Sequence, residues 1–388
     1  MLKPGNRSIF IAAALCAIGA SGAWASIFNT GDLVVYRVGT GSAALTSASS
    51  AVYLDDYSTS GTLNSSLELP TAVSGSNLPL TASGTATSEG GLTLSANGQD
   101  LIVTGYDAAP GVSGIASTST TGGSAVPREV GEVDLNGDIN TTTTTTAFSG
   151  NNIRSAVSDD GTNIWMAGAT TGVVYTTLGG SGAGTVVSST VTNLRDVEIS
   201  NDQLYVSTGS GSAVRIGTVG TGLPTTTGQA TSNLPGLPIV TNDTAGVVAG
   251  PYAYAFAALG GGYALNTLYI ADNGNGSSSS TAGTIDKFSL VGGNWTLTGT
   301  VAEVGLSGIV AQPAPGGGEE LFFTTPTNIY SLTDTSGYDG TLSGTPTSIA
   351  TAGTNESFRG IVYIPEPASV GILALGGALL LKRRNRTA

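Results

Sequence analysis

Short runs of alternating apolar and polar residues, bounded by Gly, Asn and Asp, recur along the chain and predict β-strands joined by tight turns. One unit repeats, consisting of an inner strand, a turn and a second strand rich in β-branched and aromatic residues. The unit is found at residues 89–106, 152–168, 193–209, 251–272 and 305–324. Two further strand-like runs follow each unit, and Asn136-Gly137 between two such runs is typical of a hairpin.

The spacing of the inner strands, about 40–60 residues, is that of propeller blades. A sixth inner strand, residues 358–364, has no partners after it, whereas the strands at 32–38, 51–58 and 62–69 have no inner strand before them. When the C-terminal inner strand joins these three N-terminal strands, they complete a sixth blade and close a ring. The sequence therefore predicts an all-β, six-bladed β-propeller of four-stranded blades. Seven blades is the main alternative, should residues 209–250 contain extra strands. A β-helix would repeat every 20–25 residues or so, and a pair of sandwiches is the other alternative.

The net charge is concentrated in the part of the chain between the two ends. Residues 26–364 contain 25 of the 26 acidic residues and seven basic ones, so their net charge is 7 − 25 = −18. The seven basic residues are Arg37, Arg128, Arg154, Arg195, Arg215, Lys287 and Arg359. A surface this acidic repels phosphate backbones, and nucleic-acid binding is excluded.

Histidine is absent, and the single cysteine is Cys16. Residues 26–364 therefore contain no disulfide, thiolate zinc site, cysteine nucleophile or histidine-based triad. A chain of this size is held by its hydrophobic core alone.

The N-terminal 25 residues have the pattern of a signal peptide. Lys3 and Arg7 precede an apolar stretch at residues 9–19, and Ala23 and Ala25 are the small residues of an A-x-A cleavage site. The alternative, a membrane anchor, requires a longer apolar stretch. Cys16 is a poor lipoprotein site because Leu15 precedes it.

The C-terminal residues combine three features in a fixed order. Pro365-Glu366-Pro367 precedes an uncharged apolar segment at residues 370–381. A basic cluster follows, consisting of Lys382, Arg383, Arg384 and Arg386. A short apolar segment ending in basic residues is a stop-transfer arrangement with its positive end on the cytoplasmic side. The segment makes only about 20 Å of helix, which suits a transient anchor.

This C-terminus resembles the PEP-CTERM sorting signal. The resemblance implies recognition by an exosortase, a membrane protease of Gram-negative bacteria, and proteins of this family commonly accompany exopolysaccharide production. It covers only about the last 24 residues. The chain is thus divided into a signal peptide (1–25), a propeller body (26–364) and a sorting tail (365–388). The resemblance predicts export across the inner membrane, transient anchoring by the tail, and a surface or extracellular location after processing.

Three arginines occupy one repeat position, the start of an inner strand: Arg154, Arg195 and Arg359. In a propeller these positions surround the mouth of the central channel, where guanidinium groups can bind a carboxylate or sulfate. The alternative, which we favour, is that each arginine pairs with a neighbouring blade and fixes its angle.

Carboxylates near the same rims are Asp55, Asp56, Glu89, Asp107, Asp159, Asp196 and Asp272. Two carboxyl groups at a set separation are sufficient for glycoside hydrolysis, and Tyr with Arg for lyase chemistry. Residues 134–138 invite a calcium interpretation but lack the EF-hand Gly and Glu, so an Asx-rich turn is the better account. No cofactor is predicted, and calcium has no specific motif.

The sequence therefore predicts an exported protein with a structural or adhesive role in a polysaccharide matrix, and it favours a role without enzymatic activity over catalysis. The alternative is a histidine-free polysaccharide lyase or glycoside hydrolase at the channel mouth. A third hypothesis is calcium-dependent association through the acidic surface.

Overall fold

The computed structural model of the chain describes residues 26–209, 215–238, 250–260, 265–274 and 283–366. The predicted signal peptide, and the tail from Pro367 onward, lie outside these residues. In the described part the protein is all-β, with a β-propeller-like arrangement of antiparallel sheets. No helix among these residues has the length and apolar character needed to cross a membrane.

The described residues form 25 strands and one short 3-10 turn at Ile115–Ser117. In chain order the strands are β1 (Leu33–Val38), β2 (Ser49–Tyr57), β3 (Leu63–Glu68), β4 (Leu80–Ser83), β5 (Leu92–Leu94), β6 (Asp100–Asp107), β7 (Arg128–Asp134), β8 (Ile139–Thr145), β9 (Ile153–Ser158), β10 (Asn163–Gly168), β11 (Val173–Thr177), β12 (Thr185–Ser188), β13 (Leu194–Ser200), β14 (Gln203–Thr208), β15 (Ile216–Val219), β16 (Thr231–Asn233), β17 (Pro251–Ala257), β18 (Thr267–Asp272), β19 (Thr284–Val291), β20 (Asn294–Ala302), β21 (Gly308–Pro313), β22 (Glu319–Thr324), β23 (Asn328–Asp334), β24 (Thr347–Thr351) and β25 (Ser357–Tyr363).

Four sheets consist of four strands that follow one another in the chain: β9–β12, β13–β16, β17–β20 and β21–β24. The repeat units seen in the sequence supply the first two strands of each sheet. The described parts of residues 209–250 contribute β15 and β16, which complete the β13–β16 sheet.

The remaining strands form one nine-stranded sheet made of two groups. β25 pairs with β1, which pairs with β2, which pairs with β3, so strands from both ends of the described chain share one sheet. β5–β8 form the second group. The short strand β4 pairs with both β2 and β6 and joins the two groups. The sequence analysis did not predict β4.

The hydrophobic core is divided into layers between neighbouring sheets, as expected when sheets stack face to face. Tyr254 and Leu268 of one sheet pack with Ile216 of the preceding sheet. In the same way, Phe358 of β25 packs with Leu33 of β1 and with residues of the β21–β24 sheet. Trp165 and Trp295 are both buried in these layers.

A buried ion pair connects the β17–β20 and β21–β24 sheets. Lys287 of β19 is fully buried, and its Nζ lies 2.8 Å from Oδ2 of Asp334 at the end of β23. Asp334 also accepts hydrogen bonds from the hydroxyls of Tyr269 and Ser336, each at 2.6 Å. Burial alone would raise the pKa of Asp334, but these hydrogen bonds, led by that from Lys287, hold it below its usual value.

Candidate functional site

The first strands of the sheets, β5, β9, β13, β17, β21 and β25, surround two adjoining cavities. The one at the starts of these strands, which we call the arginine cavity, is lined by residues including Glu89, Arg154, Arg195, Asp196 and Glu198. The other, which we call the apolar cavity, lies at the ends of the strands and is lined by residues including Leu94, Ile199, Phe256, Val362 and Tyr363. Glu198 lines both.

Glycines hold the inner strands close together around the arginine cavity. A Cβ on Gly360 of β25 would collide with the amide nitrogen of Leu92 of β5. A Cβ on Gly91 would lie 2.7 Å from Cβ of Ser155 in β9. Because these backbones are in contact, little space remains between the strands, and the enclosed volume of the arginine cavity is only about 30 Å³.

Arg154 lies in the wall of the arginine cavity and is 93% buried, with 7% of its surface exposed. Its Nη1 donates to Oδ1 of Asn193 at 2.6 Å and to the carbonyl of Leu194 at 2.8 Å, and its Nε donates to Oδ1 of Asn152 at 3.3 Å. All these acceptors are neutral. Burial, together with the charge of neighbouring Arg195, lowers the pKa of Arg154 to about 9.

Arg195 lies beside Arg154 in the same cavity, and its guanidinium carbon is 4.7 Å from the ring centroid of Tyr252 in β17. Burial lowers its pKa, and the nearby Tyr252 phenol opposes that shift. Both arginines therefore reach from their own sheet to the next one, which fits the interpretation that they fix the angle between blades.

Arg359, the third arginine of the set, does not line the cavity with the other two. It is 1% exposed, and it donates to Oγ of Ser357 at 2.8 Å and to the carbonyl of Gly84 at 3.3 Å. The structure thus brings Arg154 and Arg195 together in one cavity and buries Arg359 behind it.

Glu89 lines the cavity next to these arginines and is held by two hydrogen bonds. Its Oε1 accepts from the amide of Ser83 at 2.5 Å and its Oε2 from the hydroxyl of Tyr106 at 2.6 Å. Burial raises the pKa of Glu89 to about 7, although these bonds and the charges of Arg359 and Arg128 oppose the rise.

Asp196 and Glu198 form a hydrogen-bonded carboxyl pair where the two cavities meet. They lie two residues apart in β13, so both side chains lie on the same face of the strand. Burial raises the pKa of Asp196 to about 7, against a hydrogen bond that the amide of Val197 donates to its Oδ1 at 2.9 Å. Burial and the charge of Asp196 raise the pKa of Glu198 well above its usual value. The pair therefore holds a proton near neutral pH.

Glu198 was not among the rim carboxylates named from the sequence, although Asp196 was. The i, i+2 spacing of two acids in an inner strand is a signal that identifies such a pair, because alternate residues of a strand share a face.

The other rim carboxylates do not converge on the cavity. Asp55 pairs with Arg37 at 2.5 Å, and Asp56 accepts from the side-chain amide of Asn29 at 2.7 Å. Asp159 accepts from the side-chain amide of Asn163 at 3.1 Å. Asp107 and Asp272 do not line the arginine cavity either. Nothing in the geometry joins these groups into one site.

The loop at residues 134–138 forms the turn that the sequence predicted. Oδ1 of Asp134 accepts from the amides of Asn136 at 2.9 Å and Asp138 at 2.8 Å. Across the described ranges, no three Asp or Glu side chains are grouped so that they can hold a metal ion.

The sorting residues fall mostly outside the described part of the chain. Pro365 and Glu366 are described and exposed, and they directly follow the buried Ile364. Pro367, the basic cluster from Lys382 to Arg386, and the cleavage residues Ala23 and Ala25 lie outside the described residues.

No family model and no curated protein matches the sequence. Solved structures that resemble the chain include a candidate 6-phosphogluconolactonase of Bacteroides uniformis, at 11% identity and a TM-score of 0.39, with 84% of this chain and 99% of that one covered. The GH74 enzyme of Niastella koreensis is similar at 13% identity and a TM-score of 0.44, with coverages of 83% and 46%. A chain of the nidogen/laminin complex is similar at 12% identity and a TM-score of 0.43, with coverages of 85% and 97%.

Proposed function

We propose that the protein is an exported, exosortase-processed surface or matrix protein with a structural or adhesive role associated with exopolysaccharide. The observation that carries the proposal is the point at which the folded body gives way to the Pro-Glu-Pro motif. Ile364 is 1% exposed, whereas Pro365 and Glu366 are exposed. A sorting enzyme thus has access to the motif without unfolding the body.

The two ends of the body support the same proposal because they lie side by side. The amide of Gly31 donates to the carbonyl of Ile364 at 2.8 Å, and the amide of Ile364 donates to the carbonyl of Asp32 at 2.9 Å. A signal peptide and a C-terminal anchor attached here both approach the membrane from one end of the body.

The arginine cavity is at the opposite end from this attachment point. β25 runs from Arg359, behind the arginine cavity, to Tyr363, which lines the apolar cavity, and Ile364 follows. With a strand rise of about 3.3 Å per residue, residues 359 and 364 are separated by roughly 16 Å. In an anchored protein, the arginine cavity would therefore face away from the membrane.

The proposed architecture is a closed six-bladed propeller. In support, each inner strand contacts two others in a cycle that runs β5, β9, β13, β17, β21, β25 and returns to β5. The blade that contains both chain ends would be β25-β1-β2-β3. A closed ring leaves only short, protected sheet edges around the channel and explains how a chain without disulfides holds its two ends together.

A binding role is favoured over catalysis by the state of the carboxyl groups in the arginine cavity. Glycosidases need two carboxyls about 5–9.5 Å apart. Asp196 and Glu198 are hydrogen-bonded to each other, and both oxygens of Glu89 are held by the protein. These three carboxyl groups are therefore engaged with each other or with the rest of the protein, which supports a binding role over hydrolysis.

The test is retention of the purified protein on the host's own exopolysaccharide, with polymer length followed over time. Retention with unchanged polymer length is the expected result. Progressive shortening would replace this proposal with the enzyme alternative, and absence of retention would reject a polysaccharide-associated role.

A further inference from the structure

The guanidinium of Arg154 keeps one nitrogen available to a ligand. Its Nε and Nη1 are bonded to Asn152, Asn193 and Leu194, and no acceptor for Nη2 is found in the described part of the chain. Nη2 is also not among the side-chain nitrogens buried without a partner. It therefore faces the arginine cavity, which Arg154 lines. A buried cation with neutral partners and one donor directed into a cavity favours an anionic ligand.

The size of the cavity limits which part of a ligand can enter. Its enclosed volume of about 30 Å³ holds two or so water-sized groups, since each needs about 10–15 Å³. A small anionic group fits there, while a whole sugar ring does not. The half-exposed side chains of Thr87, Ser88 and Ser307 at the rim offer hydroxyls to the part that remains outside.

The carboxyl pair of Asp196 and Glu198 makes binding depend on pH. Both groups line the cavity with the arginines, and a protonated acid of the pair can donate a hydrogen bond to an oxygen of the ligand's anionic group. An ionised pair repels that group instead. The charged and titratable groups that line the cavity with the pair, or face it from β17, are Arg154 of β9, Arg195 of β13, Tyr252 and Tyr254 of β17, and Glu89 before β5.

We propose that the arginine cavity binds the anionic group of an acidic sugar, either the carboxylate of a terminal uronic acid or a sulfate ester, through Arg154 and Arg195, and that the Asp196–Glu198 pair takes up a proton on binding. This inference rests on the proposed association with exopolysaccharide and names the group recognised. A protein with this site recognises the ends or branch ends of a polymer, because only an exposed anionic group can enter the cavity.

Proton uptake sets the direction of the pH dependence. At pH 8, ionised Asp196 repels the incoming carboxylate, and at pH 5.5 the pair is protonated while a uronate remains ionised. Affinity should therefore rise as the pH falls through about 7, the pKa of Asp196. We expect binding to be roughly tenfold tighter at pH 5.5 than at pH 8. This is the change in affinity that corresponds to a pKa shift of about one unit on binding.

The experiment is calorimetric titration of the full chain with glucuronate, glucose and glucose 6-sulfate at pH 5.5, 7 and 8. Buffers with different ionisation enthalpies count the protons taken up. The proposal predicts that glucuronate binds with proton uptake and that glucose does not bind. Binding of glucose as tight as that of glucuronate, or glucuronate binding without proton uptake, would overturn it, and the titration with glucose 6-sulfate shows which anionic group is preferred.

Three variants separate the contribution of Arg154 from that of the carboxyl pair. Arg154→Gln should weaken glucuronate binding about tenfold or more, and Arg154→Lys should restore part of it, because the charge returns without the fork. Asp196→Asn should reduce the pH dependence while keeping binding, because Glu89, whose pKa is also raised to about 7, still titrates in the same cavity. Thermal melts confirm that each variant is folded.

The outcome also distinguishes this inference from the function on which it rests. If the polymer is retained but glucuronate does not bind to the folded protein, the inference is wrong and the matrix role stands. If neither binds, both are wrong.

Discussion

Glu129 of β7 is fully buried, and neither of its carboxylate oxygens has a hydrogen-bonding partner within the described residues. Burial, with a smaller effect from Asp107, raises its pKa to about 10. The group is therefore neutral in the folded protein at pH 8 but ionised in the unfolded chain, where Glu titrates near 4.3 or so. Its contribution to stability is complete below that value and is lost as the pH rises toward 10.

We expect Glu129→Gln to stabilise the protein by about 1–3 kcal/mol at pH 8 and to have little effect at pH 4.5, because the amide is neutral in both states. Urea unfolding at the two pH values measures the difference. Equal effects at both pH values would show that the carboxyl group is ionised in the fold.

Lys287 presents the opposite situation, a buried charge with full compensation from Asp334, Ser336 and the carbonyl of Gly337. Lys287→Met should cost about 3–5 kcal/mol, because it leaves Asp334 buried without its cation. The double variant Lys287→Met/Asp334→Asn should recover part of this loss, since the amide still accepts from Tyr269. Additive losses in the double-mutant cycle would contradict the coupling.

The sequence predicted the arginines but not their separate environments. Arg154, Arg195 and Arg359 share a repeat position, which the spacing revealed. Whether each lines the cavity depends on the neighbouring strand: Gly90 makes room for Arg359 behind the cavity, and Tyr252 supplies the ring under Arg195. Such contacts come from residues distant in sequence, so no local pattern encodes them.

At the scale of elements, the paired strands of the repeat units were predicted, whereas the short strand β4 was not. β4 has four residues, and its pairing with both β2 and β6 is a property of the assembled sheet rather than of its own sequence. The threonine run in β8 shows the value of the period-two pattern. Thr141, Thr143 and Thr145 are buried while Thr142 and Thr144 are partly exposed.

β25 provides the element-scale prediction. Phe358 is fully buried, and its ring makes an edge-on contact with Tyr57 of β2 at 6.0 Å between centroids. Phe358→Ala should lower the free energy of unfolding by about 3–5 kcal/mol. Leu63→Ala, at a residue that is 50% exposed at the sheet edge, is the matched control and should change it by less than about 0.5 kcal/mol. Similar losses in both variants would mean that β25 is not part of the core.

For the whole molecule, the buried acids predict a stability maximum on the acidic side. Burial is the main cause of raised pKa values at Glu89, Asp196, Glu132 and Glu319, each to about 7. Because these pKa values are higher in the folded protein than in the unfolded chain, the free energy of unfolding decreases as the pH rises from about 4 through 7. Asp334, with its lowered pKa, acts in the opposite direction and loses its contribution as the pH falls below its unfolded value of 3.8.

The melting temperature should therefore be higher at pH 5 than at pH 8 and should fall again below about pH 4. A pH series of thermal melts at fixed ionic strength measures the profile. A maximum at pH 8 would show that these acids are ionised in the folded protein.

The central claim of the account is that strands from the two ends of the chain form one blade and close the ring, with the sorting tail outside it. The most direct test compares two truncations by urea unfolding. Removing residues 365–388 should leave the stability of the body unchanged, whereas removing residues 357–388 also deletes β25, exposes Leu33 and Val35, and should abolish cooperative unfolding. Equal stability of the two truncated proteins would contradict closure by the C-terminal strand.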